Sequence, residues 1–394
     1  MLEKVIDNLK PQIIETLQEL VKIPAIAPSS GGEGELKKAD YIWNLISGWG
    51  FDDLKRYDCD KRPNIVAKIE GKKKQTLWIV THLDIVPPGN LALWKTNPFV
   101  PVVKGDKIYG RGSEDNGQSL VASLYACKAL LMSNKKPNYN IGLAIVSDEE
   151  TGSKYGIEYL IKQGLFKKND IILVPDAGNE KGNLIEVAEK AILWLKFTIK
   201  GRQCHASTPE KGINAFRASV ILAYKLDKDL HKKFKLKNKL FSPPYSTFEL
   251  TKKEANVPNI NTIPGIDVFY IDCRVLPDYR LKDILRECNR IVKEVEKETG
   301  TKIKAEITNK SEASYTNPNL QIVKQLKKAI KEVYHVNAIT KGIGGGTCAG
   351  VFRRAGYNAI VWSRVDEKAH APNEYCRISN LIGDAKVYTK LFLS

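Results

Sequence analysis

The stretch Leu77-Trp78-Ile79-Val80-Thr81-His82-Leu83-Asp84-Ile85-Val86-Pro87-Pro88-Gly89 constrains the fold of this chain more than any other. Leu77 to Val80 is an unbroken run of bulky apolar residues, which reads as a strand buried on both faces inside a largely parallel sheet. Pro87-Pro88-Gly89 stops it. Side chains alternate faces along a strand, so His82 and Asp84 point the same way. An imidazole and a carboxylate therefore leave the sheet edge side by side. Taken alone, His82 reads equally well as a hydrogen-bonded core histidine, and Asp84 as the cap of a turn. The rest of the chain has to decide.

At 394 residues the chain is too long for one ordinary core and suits two domains. An apolar content of 43% with 27% charged residues is that of a globular protein. Met1 to Lys10 is an acid-containing amphipathic segment rather than a secretory signal. No run approaches the ~20 apolar residues of a membrane span. Seven cysteines without a C-x-x-C pair argue against a disulfide framework and against a thiolate zinc ribbon. A cytoplasmic protein with no membrane partner is expected. The net charge of +17 raises the question of nucleic acid. Nucleic-acid binders gather their charge into a stripe interleaved with aromatic residues. Here Lys72-Lys73-Lys74 falls in a turn, and the lysines between 225 and 239 alternate with Leu and Asp. A solvated surface is expected, and no nucleic-acid partner.

Along the first half, strand and helix signals alternate. Helices are expected over 2–21, 34–48, 118–132 and 155–163, and strands over 64–69, 77–80, 141–146 and 171–174. That pattern gives an α/β domain with a mostly parallel sheet and helices on both faces. From Ala188 the style changes to strand 191–199, helix 214–230, strands 246–252 and 266–274, helix 281–299 and strand 302–307. This is a β-α-β-β-α-β, ferredoxin-like α+β unit. Helix 320–334, a glycine loop at 342–346 and strand 358–362 then resume the first style. The expected organisation is a discontinuous domain, 1–187 with 309–394, carrying an inserted domain over 188–308.

Acidic or imidazole groups follow one strand end after another: His82 and Asp84, Glu149 and Glu150, Asp176, and finally His370. Asp115 opens a helix after a glycine turn. Open α/β sheets bind ligands outside the carboxyl ends of their strands. Carboxylates gathered there repel one another unless cations neutralise them. Two imidazoles with several carboxylates and no cysteine suit zinc, cobalt or manganese better than calcium or magnesium. Two zinc ions ~3.5–4 Å apart are a template for hydrolysing an amide. Each feature has a plainer reading: Asp115 as a helix N-cap, Glu149-Glu150 as a solvated turn, Asp176 as a turn residue before Gly178. Their joint occurrence at strand ends is not explained that way.

The motifs are T-H-L-D-I-V-P-P-G (81–89), G-R-G-S-E-D-N-G (110–117), S-D-E-E-T-G-S (147–153) and P-D-A-G (175–178), then H-A-S-T-P (205–209) with G-I-N-A (212–215). D-C-R-V-L-P (272–277), G-G-G-T (344–347) and H-A-P-N-E (370–374) complete the series. In this order they resemble the M20 metallopeptidases and deacylases over nearly the whole chain. The resemblance implies a two-metal hydrolase acting on the amide bond of an N-acyl amino acid or short peptide. It implies a di-metal catalytic domain, and a lid and dimerisation domain at the insertion. His82 and Asp176 would hold one divalent ion, Glu150 and His370 the other, and Asp115 both; zinc comes first, with cobalt or manganese as alternatives. Asp84 would orient His82 and raise its basicity, and Glu149 would be the general base. His205 would reach the active site of the partner in a homodimer and steady the oxyanion. Arg274 would grip a substrate carboxylate with its bidentate fork, with Asn261 and the glycine loop at Gly345 and Gly346 as further contacts. Cys348 departs from the Asp or Ser expected beside that loop, and Cys204 from the glycine common before His205. Both leave substrate preference open.

Two other readings compete. Gly346-Thr347-Cys348-Ala349-Gly350 matches the nucleophile-elbow pattern, with Asp366 and His370 following in α/β-hydrolase order. No apolar strand leads directly into it, which counts against a cysteine hydrolase built on Cys348 and His370. A metal-free relative acting as a binding or scaffold protein would have lost ligands, whereas here all seven positions are filled.

Overall fold

A computed structural model describes residues 2–394 and makes Thr76–His82 a strand buried at every position. Parallel neighbours, Asn140–Val146 and Ile171–Asn179, flank it. Helix Ser119–Met132, buried almost all round, packs against the sheet, as a helix without a polar face must. Trp78 and Val80 join an apolar cluster with Phe166, Ile172 and Phe352. The Trp78 indole donates to Asp170 Oδ2 at 2.9 Å, so its one polar atom is satisfied. Gly142 is its partner in the register, and a Cβ there would lie 2.3 Å from the ring. Gly142→Ala is therefore expected to destabilise the fold by about 1–3 kcal/mol through overpacking. The check is a lower denaturant midpoint at unchanged slope.

The contacts divide the chain into two units: Met1–Val187 with Thr316–Lys341 and Thr347–Ser394, and Ala188–Tyr315 with Gly342–Gly346. In the first, parallel pairings join Asn140–Val146, Thr76–His82, Ile171–Asn179 and Asn358–Arg364. Outside these the pairings are antiparallel: Arg62–Ile69 on Asn140–Val146, Asp53–Cys59 on Arg62–Ile69, and Leu184–Glu189 on Asn358–Arg364. The sheet is thus mixed, and the expected mostly parallel arrangement holds for its centre alone. Asp53–Cys59 and Arg62–Ile69 form a hairpin around Asp60 and Lys61, both at positive φ (51° and 62°), and a tight hairpin pairs antiparallel. Asp53–Cys59 is largely charged and half-buried, so it carried no apolar strand signal.

The second unit has a four-stranded antiparallel sheet in the order Thr247–Lys253, Ile266–Val275, Ala191–Lys200, Lys302–Ser311. Leu193, Leu195, Phe197 and Ile199 alternate along one strand onto the face that meets Leu222, Ile284 and Ile291 of helices Ala215–Lys233 and Leu281–Thr299. The β-α-β-β-α-β order is the ferredoxin-like one. This unit runs past the expected boundary at 308. Pairing of Lys302–Ser311 continues to Ser311, and Ser314–Tyr315 pairs with Ala188 and Glu189. The glycine loop also belongs here, because the Gly342 amide donates to Leu240 O at 2.8 Å and Arg274 Nη1 to Gly344 O at 2.9 Å. The expected boundary fell where the apolar signal ends, at Ile307; the rest of the strand is polar.

The last helix, Ile378–Leu393, lies along Ser119–Met132 and Leu2–Lys22. Among the described residues no helix is long and apolar enough to cross a membrane, and no disulfide joins the seven cysteines.

Candidate metal centre

His82 is the last residue of its strand, and Leu83 still bonds through its amide to Val146 O. Its Nδ1 is hydrogen-bonded to the Asp84 backbone carbonyl at 2.9 Å. That turns Nε2 towards Asp115 Oδ1 at 3.0 Å and Asp176 Oδ1 at 3.2 Å. Asp115 lies in the turn Ser113–Gln118, where its backbone leaves helical angles (φ −111°, ψ 101°). Its carboxylate makes no cap bond at either helix start, where the caps are Gly112 and Gln118. Glu149 and Glu150 follow strand Asn140–Val146, and Asp176 lies near the end of Ile171–Asn179. His370 stands at φ 62° in the loop after Asn358–Arg364. Its Nε2 is 3.1 Å from Asp115 Oδ2 and 3.1 Å from Glu150 Oε2. Asp115 accordingly presents one oxygen to each imidazole. Candidate ligand atoms of His82, Glu149 and Asp176 lie within 4.8 Å of one another, as do those of His82, Asp115 and Glu150.

Burial disfavours an imidazolium at His82, yet the Asp115, Asp176 and Asp84 carboxylates raise its pKa well above the ordinary value. The Asp115 and Glu150 carboxylates raise His370 to about 10. Burial works against ionising Asp115 too, but the two imidazoles hold it well below the usual carboxylate range. Glu149 is pushed well up by burial first and then by the charge of Asp176. Burial also raises Glu150, with His370 opposing it. Without positive charge at its centre this group of carboxylates repels itself. Imidazole nitrogen and carboxylate oxygen are the donors that divalent transition metals take, so the residues fit such ions.

The Asp84 carboxylate is one of the charges that raise the pKa of His82, but its shortest bonds go elsewhere. Its Oδ1 accepts from the Glu149 amide and its Oδ2 from the Glu150 amide, each at 3.0 Å, and it stands 3.6 Å from His82 Nδ1. The carboxylate holds the glutamate turn, since two amides offer it two charge-assisted bonds; the backbone carbonyl orients the imidazole. Sequence reasoning missed other partners. Asn116 Nδ2 donates to Asp176 Oδ1 and to Pro175 O, both at 3.0 Å. Lys38 of helix Leu36–Ile46 is buried beside Asp84, Glu374 and Glu35. Burial lowers its amine to about 8 against the pull of those carboxylates. Glu114 and Glu374 are buried as well. Three of these residues stand inside the quoted motifs, but spacing carries no sign of bonds to distant backbone.

The remaining predicted residues lie in the second unit. His205 is exposed, pairs with Thr262, and has Nδ1 2.7 Å from Ser207 Oγ. The Ala206 amide donates to Asn261 O at 2.8 Å, so Asn261 is close by in that unit. Arg274 has its fork occupied: Nε donates to Asp272 Oδ1 at 2.7 Å and Nη2 to Oδ2 at 2.9 Å. Space around Gly345 is open, and a Cβ on Gly346 would meet Ile192 at 3.9 Å. Cys348 is buried in the apolar cluster of Trp78 and Phe352, while His370 faces Asp115 and Glu150. A Cys348–His370 hydrolase has no geometry here.

Imidazoles and carboxylates converging at the strand ends of a mixed sheet define a metal-dependent hydrolase of the peptidase and amidohydrolase kind. The family model described as Peptidase family M20/M25/M40 matches residues 78–394, and the chain belongs to that family. Over 407 aligned residues it is 44% identical to an uncharacterised metallohydrolase of Methanocaldococcus jannaschii, covering 98% of this chain and 99% of that one. It is 28% identical to the succinyl-diaminopimelate desuccinylase of Pelagibacter ubique, over 96% of this chain and 97% of the relative. The solved aminopeptidase PepT of Bacillus cereus has the same fold, with a TM-score of 0.79 at 18% identity, over 97% of this chain and 98% of that one.

Proposed function

We propose that this chain hydrolyses an amide next to a carboxylate, in an N-acyl amino acid or a short peptide, using two divalent ions per subunit. The observation that carries this reading is the placement of Asp115, one oxygen towards His82 and the other towards His370. His82 and Asp176 would hold one ion, Glu150 and His370 the other, and Asp115 both. Zinc suits the donors best, with cobalt or manganese next. Bound there, such a pair supplies the charge that polarises a carbonyl and makes water acidic. Glu149 would take the proton of the attacking water on its carboxylate and pass it to the departing amine. A desuccinylase among the relatives supports a carboxylate-bearing acyl substrate.

In this reading the inserted unit, 188–308 at its sequence boundary, serves as lid and dimerisation domain of a cytoplasmic homodimer. Arg274 would bind the substrate carboxylate, with Asn261, Gly345 and Gly346 beside it. Because Asp272 already occupies its fork, the carboxylate would have to displace Asp272 or use the outer N–H groups. His205 would steady the oxyanion in the partner's site. Losing one such donor costs on the order of 10²–10³ in kcat, which is the fall expected of His205→Ala. Mixed dimers of His205→Ala and Glu149→Gln chains should then regain part of the activity; no regain would argue against action across the dimer.

The deciding experiment is metal analysis with a panel of N-acyl amino acids and dipeptides, run with added zinc or cobalt. Turnover that a chelator removes and the metal restores is expected. A chain that keeps less than about one ion and cleaves nothing on metal addition would sink the reading.

A further inference from the structure

Two buried glutamates outside the ligand set stand beside Asp115 and His370: Glu114, 4% exposed, and Glu374, fully buried. Each reaches into the other's segment. Glu374 Oε1 accepts from the amides of Glu114 and Asp115, at 2.9 and 3.1 Å. Its Oε2 accepts from Arg111 Nη1 at 2.6 Å. In return, Glu114 Oε1 accepts from the Asp366 amide at 2.7 Å, and Oε2 from the amides of Ala369, at 2.9 Å, and Lys368. Arg111 Nη2 closes the ring on the His370 carbonyl at 3.3 Å.

Burying a carboxylate is costly unless charge-assisted hydrogen bonds surround it, and here both are surrounded. What those bonds fix is backbone. The turn at Asp115 and the loop at His370 are far apart in the chain, and His370 stands at φ 62°, a left-handed conformation that few residues other than glycine adopt. Such conformations persist where neighbours over-determine them. We propose that Glu114 and Glu374 are a reciprocal pair of positioning residues that holds Asp115 and His370 at the separation their shared ion requires. The pair presets the metal centre, so that less ordering remains when ions bind. This inference rests on the metal-site reading above.

The test is cobalt binding by the full chain, measured in competition with a chelating dye and by the visible spectrum of bound cobalt, beside the melting temperature of metal-free protein. A glutamine has one acceptor oxygen and a donor NH₂, so it cannot serve both the two amides and Arg111. Glu374→Gln and Glu114→Gln are each expected to weaken cobalt binding by about 10–100-fold and to alter the spectrum. Together they should cost less than the product, since either breaks the same brace. Gly142→Ala, which loosens the fold away from the centre, should leave affinity and spectrum unchanged. Should a glutamine variant not fold, Arg111→Lys reads the same ring, with a smaller weakening expected. Lower melting temperatures with wild-type cobalt affinity and spectrum would overturn the proposal, as would unchanged affinity in a folded Arg111→Lys chain. Failure of the wild-type chain to bind cobalt would instead sink the metal-site reading, and this proposal with it.

Discussion

Glutamine in place of Glu149 is expected to lower kcat by about 10²–10⁴-fold while metal content stays at the wild-type level. The substitution keeps size and shape, and the Glu149 amide keeps its bond to Asp84 Oδ1. What disappears is an oxygen that can take a proton. Metal content is the sharper readout, because the Glu149 carboxylate lies as close to His82 and Asp176 as a ligand would. The division of labour with Glu150 rests on His370, which faces Glu150 at 3.1 Å. If Glu149→Gln loses an ion along with its activity, Glu149 is a ligand and the proton transfer belongs elsewhere. Near-normal kcat would remove it from the chemistry altogether. KM should move little, since nothing in the proposed grip on substrate involves this side chain.

The parts of the site legible in the sequence are those tied to strand ends. His82 follows an apolar run that can fold in few ways but as a buried strand, and Glu149, Glu150 and Asp176 repeat that arrangement. His370 was read by the same rule, after the last strand, although it stands in a loop at positive φ. Asp115 was less exposed to that rule, since it sits in a turn with irregular backbone, and the motif around it marked it. Illegible were contacts that depend on tertiary placement. The spacing put Asp84 on the face of His82 and the resemblance implied that it orients the ring, but two amides of a turn 65 residues on take its carboxylate oxygens. Glu114 and Glu374 bond to backbone, which has no sequence signature at either end. In the fold, the failures were polar strands. Asp53–Cys59 and the end of Lys302–Ser311 are held by ladder hydrogen bonds and carry little apolar signal. Arg274 shows the converse: its partner Asp272 was two residues away on the same strand face, in plain view of the alternation rule.

Asp115→Ala is expected to cost more than His370→Ala, and in a different currency: both ions rather than one. Each oxygen of Asp115 faces a different imidazole, so its loss strips a ligand from both proposed sites at once. His370→Ala leaves His82, Asp176 and Asp115 together, a set that still brings one imidazole and two carboxylates to a single ion. Removing partners that merely orient ligands costs about 10–100-fold in metal affinity, so loss of a shared ligand should exceed about 100-fold at both sites. Equilibrium dialysis against zinc at a fixed free concentration would then find two ions on the wild type, about one on His370→Ala and close to none on Asp115→Ala, with turnover at background in the last. The backbone of the Asp115 turn is held by Glu374 through main-chain amides, which alanine retains, so the fold should survive the change. Retention of one ion by Asp115→Ala would mean that this carboxylate serves a single site, and the centre would then need a different bridge.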